Sequence, residues 1–163
     1  MQRISKENYY LNIAQTVLER ATCLRRVYGA IIVKNDEIIS TGYNGAPRGR
    51  RNCVDMGYCT RERLQVPRGE RYELCRSVHA EANAIISAAR RDMIGGTLYL
   101  VGRDAATGAL LHDTTSCAMC RRMIINSGIT RVVNRIGDDG IEIIDVQNWI
   151  VNDESIQPKA AAE

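Results

Sequence analysis

The chain has 163 residues, of which 45% are hydrophobic and 25% charged, with six cysteines and a formal net charge of +3. This length accommodates one domain with a hydrophobic core, and the lack of a membrane-length apolar run argues against a transmembrane helix. The N-terminal segment lacks the apolar core of a secretory signal, so we expect a cytoplasmic protein. In that compartment the cysteines are expected to be thiols or metal ligands rather than disulfides.

The predicted elements alternate between helices and strands. Ser5 is a suitable N-cap for a first amphipathic helix, and β-branched runs on either side of a turn at 35–36 predict a hairpin. In chain order we predict a helix at 5–22, strands at 27–34 and 37–43, an irregular segment at 44–78, a helix at 79–91, a strand at 96–102, a loop at 103–113, a helix at 117–128, a strand at 130–135, a strand or the approach to a short helix at 141–146, and a loose tail at 152–163. This order indicates a single α/β domain at 1–151, with a mixed sheet of about five strands flanked by helices.

The irregular segment at 44–78 is basic and rich in cysteine. It contains eight arginines, no lysine and four acidic residues, so its charge of +4 exceeds that of the whole chain. A long segment without regular structure inside a compact domain is usually functional or disordered, and three cysteines in this one argue for order. Because arginine suits phosphate and the patch is local, a small anionic ligand fits it better than a long nucleic acid.

Two short motifs carry the chemistry. Cys117 and Cys120 are three residues apart at a predicted helix start, where both sulfurs share a face and thiolate is favoured. His79 begins another helix, and one imidazole with two thiolates makes three metal ligands, which leaves a position for water, as in catalytic zinc sites. Glu81 lies two residues beyond His79 and could move protons as a general acid and base. A histidine followed by glutamate two residues later, and then by a C-x-x-C pair, is typical of zinc-dependent nucleobase deaminases.

These residues resemble a known family, the zinc-dependent cytidine and deoxycytidylate deaminases. His79-Ala80-Glu81 matches its HAE motif and Cys117-Ala118-Met119-Cys120 its C-x-x-C motif. The segment GYNGAPRG at 42–49 and the strand VYGAIIV at 27–33 resemble the deoxycytidylate (dCMP) branch, as do HAEANAI and INSGITRVV, over roughly residues 9–133. Ser116 stands where the family usually has proline, and serine can cap the helix instead.

The resemblance implies a three-layer sandwich and the Zn²⁺-dependent hydrolysis of dCMP to dUMP and ammonia, which would supply dUMP for thymidylate synthesis. Glu81 would move protons to N3 and to the leaving amine, and the backbone N–H of Ala80 would hold the base carbonyl. The carbonyl preceding Ser116 would accept a hydrogen bond from the leaving ammonia. Asn44 would contact the nucleotide, the GYNG segment including Gly45 would bind an effector, and we favour Arg48 and Arg50 for the 5′-phosphate.

The resemblance also implies regulation and assembly. Members of this group are commonly activated by dCTP and inhibited by dTTP, and they tend to form hexamers. A triphosphate effector such as dCTP could bring Mg²⁺ with it. Cys23, Cys53, Cys59 and Cys75 could hold a second, structural zinc ion or could be free thiols, with His112 as another fourth ligand or a surface residue. A tRNA base deaminase and a non-catalytic zinc-stabilised binding protein of the kind found in DNA-uptake operons stay open as alternatives, as do dCTP and deoxycytidine as substrates.

Overall fold

The computed structural model describes residues 1–156 and has the predicted mixture of helices and strands. The helices are α1 (Lys6–Leu18), α2 (Cys53–Met56), α3 (Thr60–Arg63), α4 (Ala80–Ile86), α5 (Arg90–Met93), α6 (Ala118–Ser127) and α7 (Val146–Val151). The strands are β1 (Arg26–Lys34), β2 (Glu37–Tyr43), β3 (Thr97–Asp104), β4 (Arg131–Ile136) and β5 (Gly140–Asp145). Among these residues, no helix is both long and apolar enough to cross a membrane.

The five strands form one mixed sheet, as predicted. Their order is β2-β1-β3-β4-β5, in which β3 and β4 run parallel and every other neighbouring pair is antiparallel. The hairpin of β1 and β2 turns at Asn35 and Asp36, which both have positive φ. The parallel pair needs a crossover, and α6 supplies it between β3 and β4.

Helices cover both faces of the sheet, which gives the predicted three-layer sandwich. On one face α1 packs Leu11, Ala14 and Leu18 against a cluster that includes Val133. On the other face α4, α5, α6 and α7 surround a second core, described by buried residues such as Ala84 and Ile124. Strand β1 lies inside the sheet between β2 and β3 and is buried on both faces, which explains its unbroken apolar run.

The first helix is shorter than predicted. Its N-cap is Ser5, as expected, with the hydroxyl accepting from the Asn8 amide at 3.2 Å. It ends at Leu18 rather than at residue 22. The chain leaves the helix because the Thr22 amide donates to the Asn44 carbonyl at 3.1 Å, a tertiary contact that helical propensity does not report.

The predicted helix at 79–91 is two helices. The first ends at Ile86, and Ala89 adopts an extended conformation before α5 begins. The bend turns Met93 into the core, where it is 3% exposed, and the Arg90 guanidinium donates to the Asn126 carbonyl at 2.8 Å. Burial and this bond to α6 outweigh the continuous helical pattern of the sequence.

The segment at 44–78 is ordered and partly helical, which corrects the prediction of irregular structure throughout. It holds α2, α3 and a 3-10 turn at Tyr72–Leu74. Arg61 is 6% exposed and donates to the carbonyls of Pro67 and Glu70, so one buried guanidinium organises the middle of the segment. Near the C-terminus both alternatives for 141–146 occur, since β5 leads directly into α7. A 3-10 turn follows at Glu154–Ile156, and the rest of the predicted tail, 157–163, lies outside the described residues.

Candidate active site

His79, Cys117 and Cys120 meet at the N-terminal ends of two helices. His79 is the N-cap of α4, and Cys117 is the N-cap of α6. The His79 Nδ1 atom lies 3.4 Å from the Sγ atom of Cys117 and 3.4 Å from that of Cys120. Nowhere else in residues 1–156 do three or more metal-ligating side chains converge as closely. The three predicted ligands therefore come together.

The donor set and its spacing fit zinc. Zn²⁺ takes thiolate and imidazole ligands at about 2.3 Å and about 2.0–2.1 Å in a tetrahedral arrangement, which places neighbouring ligand atoms roughly 3.6 Å apart. The observed separations of 3.4 Å agree with that value. Because Nδ1 faces both sulfurs, the tautomer that binds a metal carries its proton on Nε2. A fourth protein ligand is absent from the cluster within the described part of the chain, as expected for a catalytic site.

The three side chains of the cluster shift one another's pKa values. Burial lowers the pKa of His79, but hydrogen bonds to Cys117 and Cys75 outweigh it and raise the pKa to about 10. The hydrogen bond from Cys120 lowers the pKa of Cys117 to about 4, with His79 acting in the same direction. The pKa of Cys120 is raised because it donates to that thiolate and is buried. The Cys117 thiol is therefore more acidic than that of Cys120, and metal binding releases the protons that the ligands carry.

Glu81 lies beside the cluster in the first turn of α4. It is 5% exposed, and burial raises its pKa above the usual range, although its backbone hydrogen bond and the charge of His79 act in the opposite direction. A carboxyl with a raised pKa can accept and donate a proton near neutral pH. The adjacent Ala80 is fully buried, and its backbone N–H belongs to the first helical turn, which has no acceptor inside the helix.

A cavity of about 430 Å³ opens onto this centre. His79, Ala80, Glu81, Ser116 and Cys117 line its inner part, together with the ring of Tyr28 from β1. Tyr72 closes another side, its ring packing edge-on against the His79 ring with centroids 5.0 Å apart. This volume lies within the range of about 300–1,000 Å³ that is usual for small-ligand pockets.

Comparison with known proteins assigns the family. The chain matches the cytidine and deoxycytidylate deaminase zinc-binding region over residues 4–135. The chain belongs to this family. It is 38% identical to the deoxycytidylate deaminase of Mycobacterium phage D29 over 139 residues, covering 82% of this chain and 96% of that protein.

Two further comparisons agree with this assignment. The chain is 34% identical to the deoxycytidylate deaminase of Schizosaccharomyces pombe over 131 residues, which cover 80% of this chain but 37% of the yeast protein's length. The crystal structure of the dCMP deaminase from cyanophage S-TIM5 in its apo form is 25% identical, with a TM-score of 0.58, and the match covers 85% of this chain and 88% of that one. The chain is a deaminase with a zinc-binding site, and its fold is that of cytidine deaminases.

Ser116 does not cap α6 in this deaminase, contrary to the prediction. The N-cap is Cys117, whose Sγ accepts from the Cys120 amide at 3.5 Å. Ser116 is 1% exposed, and its hydroxyl has no hydrogen-bond partner among the described residues. Its carbonyl accepts from the Arg121 guanidinium at 3.0 Å. The cap moves one residue along because a thiolate at the N-cap position both satisfies a helix N–H and turns toward the metal site.

The GYNG segment ties the end of β2 to α4. An added Cβ at Gly42 would lie 2.3 Å from the Ala80 carbonyl, so only glycine permits this packing distance. The Asn44 side chain bonds to the β1 backbone through the Tyr28 amide at 2.7 Å and the Arg26 carbonyl at 2.9 Å, and Asn44 lines the cavity.

Gly45 adds a backbone contact close to the metal site. It forms a two-bond bridge with Val78, whose amide donates to the Gly45 carbonyl at 2.7 Å and whose carbonyl accepts at 3.2 Å. Val78 immediately precedes His79. Asn44 and Gly45 therefore position the metal ligand, whatever else they contact.

The arginines of the cavity are not those favoured from the sequence. Arg48 and Arg50 are exposed and do not line the cavity. Five other arginines line it: Arg25, Arg26, Arg61, Arg68 and Arg121. The sequence-based choice missed Arg25, Arg26 and Arg121 because none of them lies in the arginine-rich segment. It also missed Asp113 and Tyr72, although Asp113 lies only four residues before Cys117.

The other cysteines gather near the same cavity. Cys23, Cys59 and Cys75 line it, and Cys53 is 5% exposed at the start of α2. Burial raises the pKa of Cys53, and the other three thiols add to this shift, so the four sulfurs are within electrostatic reach of one another. They do not form a closely spaced ligand group in residues 1–156, and every one is a free thiol. His112 is exposed and packs against Gly137 in the turn between β4 and β5.

Proposed function

We propose that this chain is a dCMP deaminase, which converts dCMP to dUMP and ammonia. The observation that carries the proposal is the buried carboxyl of Glu81 beside a three-ligand zinc site. A purely structural zinc site is normally closed by four protein ligands and has no need of a neighbouring general base. The arginine-lined cavity and the deoxycytidylate deaminases among the relatives support a nucleotide as the substrate.

His79, Cys117 and Cys120 would hold the zinc ion. When bound, the ion acts as a Lewis acid that makes water a nucleophile at neutral pH. Glu81 accepts the proton that the attacking water loses and delivers it to N3 of the cytosine ring. It then takes the proton of the new C4 hydroxyl and passes it to the amine on C4; the C4–N bond breaks, ammonia leaves, and the C4 carbonyl forms. The outcome is replacement of the C4 amine by oxygen, which gives the uracil ring.

The other cavity residues orient the base. The free N–H of Ala80 donates to the base carbonyl, and the carbonyl that precedes Ser116 accepts from the departing ammonia. The half-buried Tyr28 and Tyr72 side chains line the cavity and limit the access of bulk water to the reacting atoms, which strengthens each of these polar contacts. Asn44 braces this arrangement from β1 and contacts the nucleotide.

Regulation and assembly are further parts of the proposal. The GYNG segment would bind dCTP as an activator with Mg²⁺, or dTTP as an inhibitor, and the chain would form a homo-oligomer, with a hexamer favoured. Cys23, Cys53, Cys59 and Cys75 stay the predicted ligands of a second zinc ion, which a stoichiometry of two zinc ions per chain would support. Residues 1–151 would form one domain, and free thiols suit a cytoplasmic protein that supplies dUMP.

The experiment that tests the proposal measures ammonia release from zinc-loaded protein. The substrates are dCMP, deoxycytidine, cytidine, dCTP and an adenosine-containing RNA hairpin, each with and without dCTP plus Mg²⁺ as effector. Preferential turnover of dCMP supports the assignment, and a rise with dCTP supports regulation. Preferential turnover of the hairpin would make the chain a nucleic-acid deaminase. No turnover by protein that retains zinc would favour a non-catalytic binding protein.

A further inference from the structure

Asp113 joins two arginines that come from distant parts of the chain. Arg26 at the start of β1 approaches its Oδ1 atom at 3.1 Å, and Arg68 from the 44–78 segment approaches its Oδ2 atom at 2.5 Å. All three residues line the cavity that contains the metal site. The two guanidinium groups therefore converge on one carboxylate inside the cavity.

This arrangement has the chemistry of an oxyanion site. Guanidinium forks bind the oxygens of carboxylate and phosphate groups in the same planar geometry, so a carboxylate held by two arginines marks a place that a phosphate fits. The side chains of Arg68 and Asp113 are 63% and 54% exposed, and ion pairs this accessible stabilise a fold little. The triad carries a net charge of +1, which leaves positive charge for a ligand.

The other cavity arginines are committed elsewhere. Arg25 pairs with Glu62 at 3.0 Å. Arg61 is bound to two backbone carbonyls of its own segment, and Arg121 donates to the Ser116 carbonyl. Among the five cavity arginines, Arg26 and Arg68 alone share an acidic partner that also lines the cavity, within the residues described.

Tyr28 connects this triad with the reacting centre. Burial raises the pKa of its hydroxyl, Arg26 lowers it, and the negative charges of Glu81 and Asp113 raise it. The hydroxyl is thus within electrostatic reach of both the general base and the triad. Glu81, Arg26 and Arg68 line the same cavity, so a nucleotide whose base lies at Glu81 has its phosphate in the cavity that these two arginines line.

We propose that Arg26 and Arg68 form the subsite for the 5′-phosphate of a nucleoside monophosphate. Asp113 occupies this subsite in the free protein, holds the two guanidinium groups together, and is displaced by the phosphate. The inference rests on the proposed function, since it places the phosphate of that same substrate.

The test compares the binding of dUMP and deoxyuridine by calorimetry on zinc-loaded protein. Arg68→Gln should weaken dUMP binding by about 10-fold or more and change deoxyuridine binding much less, because a charge-assisted phosphate contact is lost. Asp113→Asn should tighten dUMP binding several-fold, because an internal competitor has lost its charge. Arg71→Gln is the matched control: Arg71 lies in the same segment, is 62% exposed and pairs with Glu73, but does not line the cavity.

Several outcomes would overturn the inference. They are equal or undetectable binding of dUMP and deoxyuridine by the wild type, an unchanged ratio in Arg68→Gln, or an equal loss in Arg71→Gln. Weaker dUMP binding by Asp113→Asn would refute displacement of the carboxylate. Failure of the proposed function is distinguishable, because it appears as no turnover of dCMP whatever the binding results are.

Discussion

The His79 Nδ1 atom lies 3.4 Å from the Cys120 Sγ atom, although 41 positions separate the two residues in the chain. The contact joins the N-terminal ends of α4 and α6, which lie on the same face of the sheet and share one hydrophobic core. The metal centre is therefore a product of helix packing, and changes that separate these helices should affect zinc binding as well as stability.

Replacing Glu81 with glutamine should abolish turnover and leave the zinc site intact. The amide keeps the shape of the side chain but cannot accept a proton, so kcat should fall by about 10²–10⁴-fold. Zinc content per chain, measured by mass spectrometry, should equal that of the wild type. Glu142→Gln, an exposed change on β5, is the control. Loss of zinc from Glu81→Gln, or wild-type kcat, would contradict the role assigned to this carboxyl.

Replacing Gly42 with alanine should loosen the metal site from a distance. The new Cβ would lie 2.3 Å from the Ala80 carbonyl and 2.4 Å from the Ala84 amide nitrogen, so α4 must shift. Overpacking of this kind costs about 1–3 kcal/mol of unfolding free energy. Urea unfolding and a competitive zinc chelator would measure stability and zinc affinity, and both should fall. Thr41→Ala, exposed on the same strand, should change neither, and a stable Gly42→Ala with normal zinc affinity would refute the packing argument.

Replacing Glu7 with glutamine should destabilise the protein only above acidic pH. A backbone hydrogen bond and the ion pair with Arg131 lower the pKa of Glu7 from its ordinary value of 4.5. A depressed carboxyl pKa stabilises the fold above the unfolded-state value, and that contribution is lost as pH falls through the folded-state value. Both partners are about one-third exposed, so the difference in unfolding free energy at pH 7 should be about 0.5 kcal/mol.

Urea unfolding of wild type and Glu7→Gln at pH 7 and pH 3 would measure this difference. The difference should shrink at the lower pH, because Glu7 becomes protonated as the pH falls through its lowered folded-state pKa. A difference that persists unchanged at pH 3 would show that packing, rather than charge, is responsible.

Replacing Asn134 with leucine should stabilise the protein. Asn134 lies on β4, is fully buried, and neither its amide nitrogen nor its oxygen has a hydrogen-bond partner among residues 1–156. An unsatisfied buried polar group costs free energy that an apolar side chain of similar size does not, so the unfolding free energy should rise by about 1 kcal/mol. A higher denaturation midpoint with an unchanged urea m-value would support this. Destabilisation would indicate that Asn134 is satisfied by a bound water molecule.

Local sequence patterns were enough to predict the strands, the N-terminal ends of α1, α4 and α6, and the residues that cluster as a metal site. These features depend on local chemistry: alternating or unbroken apolar runs predict strands, Ser5 caps α1, and Gly128 ends α6 with a positive φ. The motifs of His79, Glu81 and the cysteine pair were equally recognisable in the sequence, because each places its polar atoms at a helix start through short spacing alone. The mixed sheet of about five strands flanked by helices followed from the order of these elements, and the three-layer arrangement followed from the family resemblance.

The long-range partners of these elements became clear from the folded structure and not from local patterns in the sequence. Ala89 breaks the predicted helix because burial of Met93 and a bond from Arg90 to α6 outweigh local propensity. The eight arginines of the long segment look equivalent in the sequence, yet Arg68 faces the cavity while Arg48 does not. Arg68 and Arg26 both contact Asp113, from which they are 45 and 87 positions away in the chain, respectively. Such contacts arise when packed elements bring distant side chains together, and no local pattern in the chain encodes them.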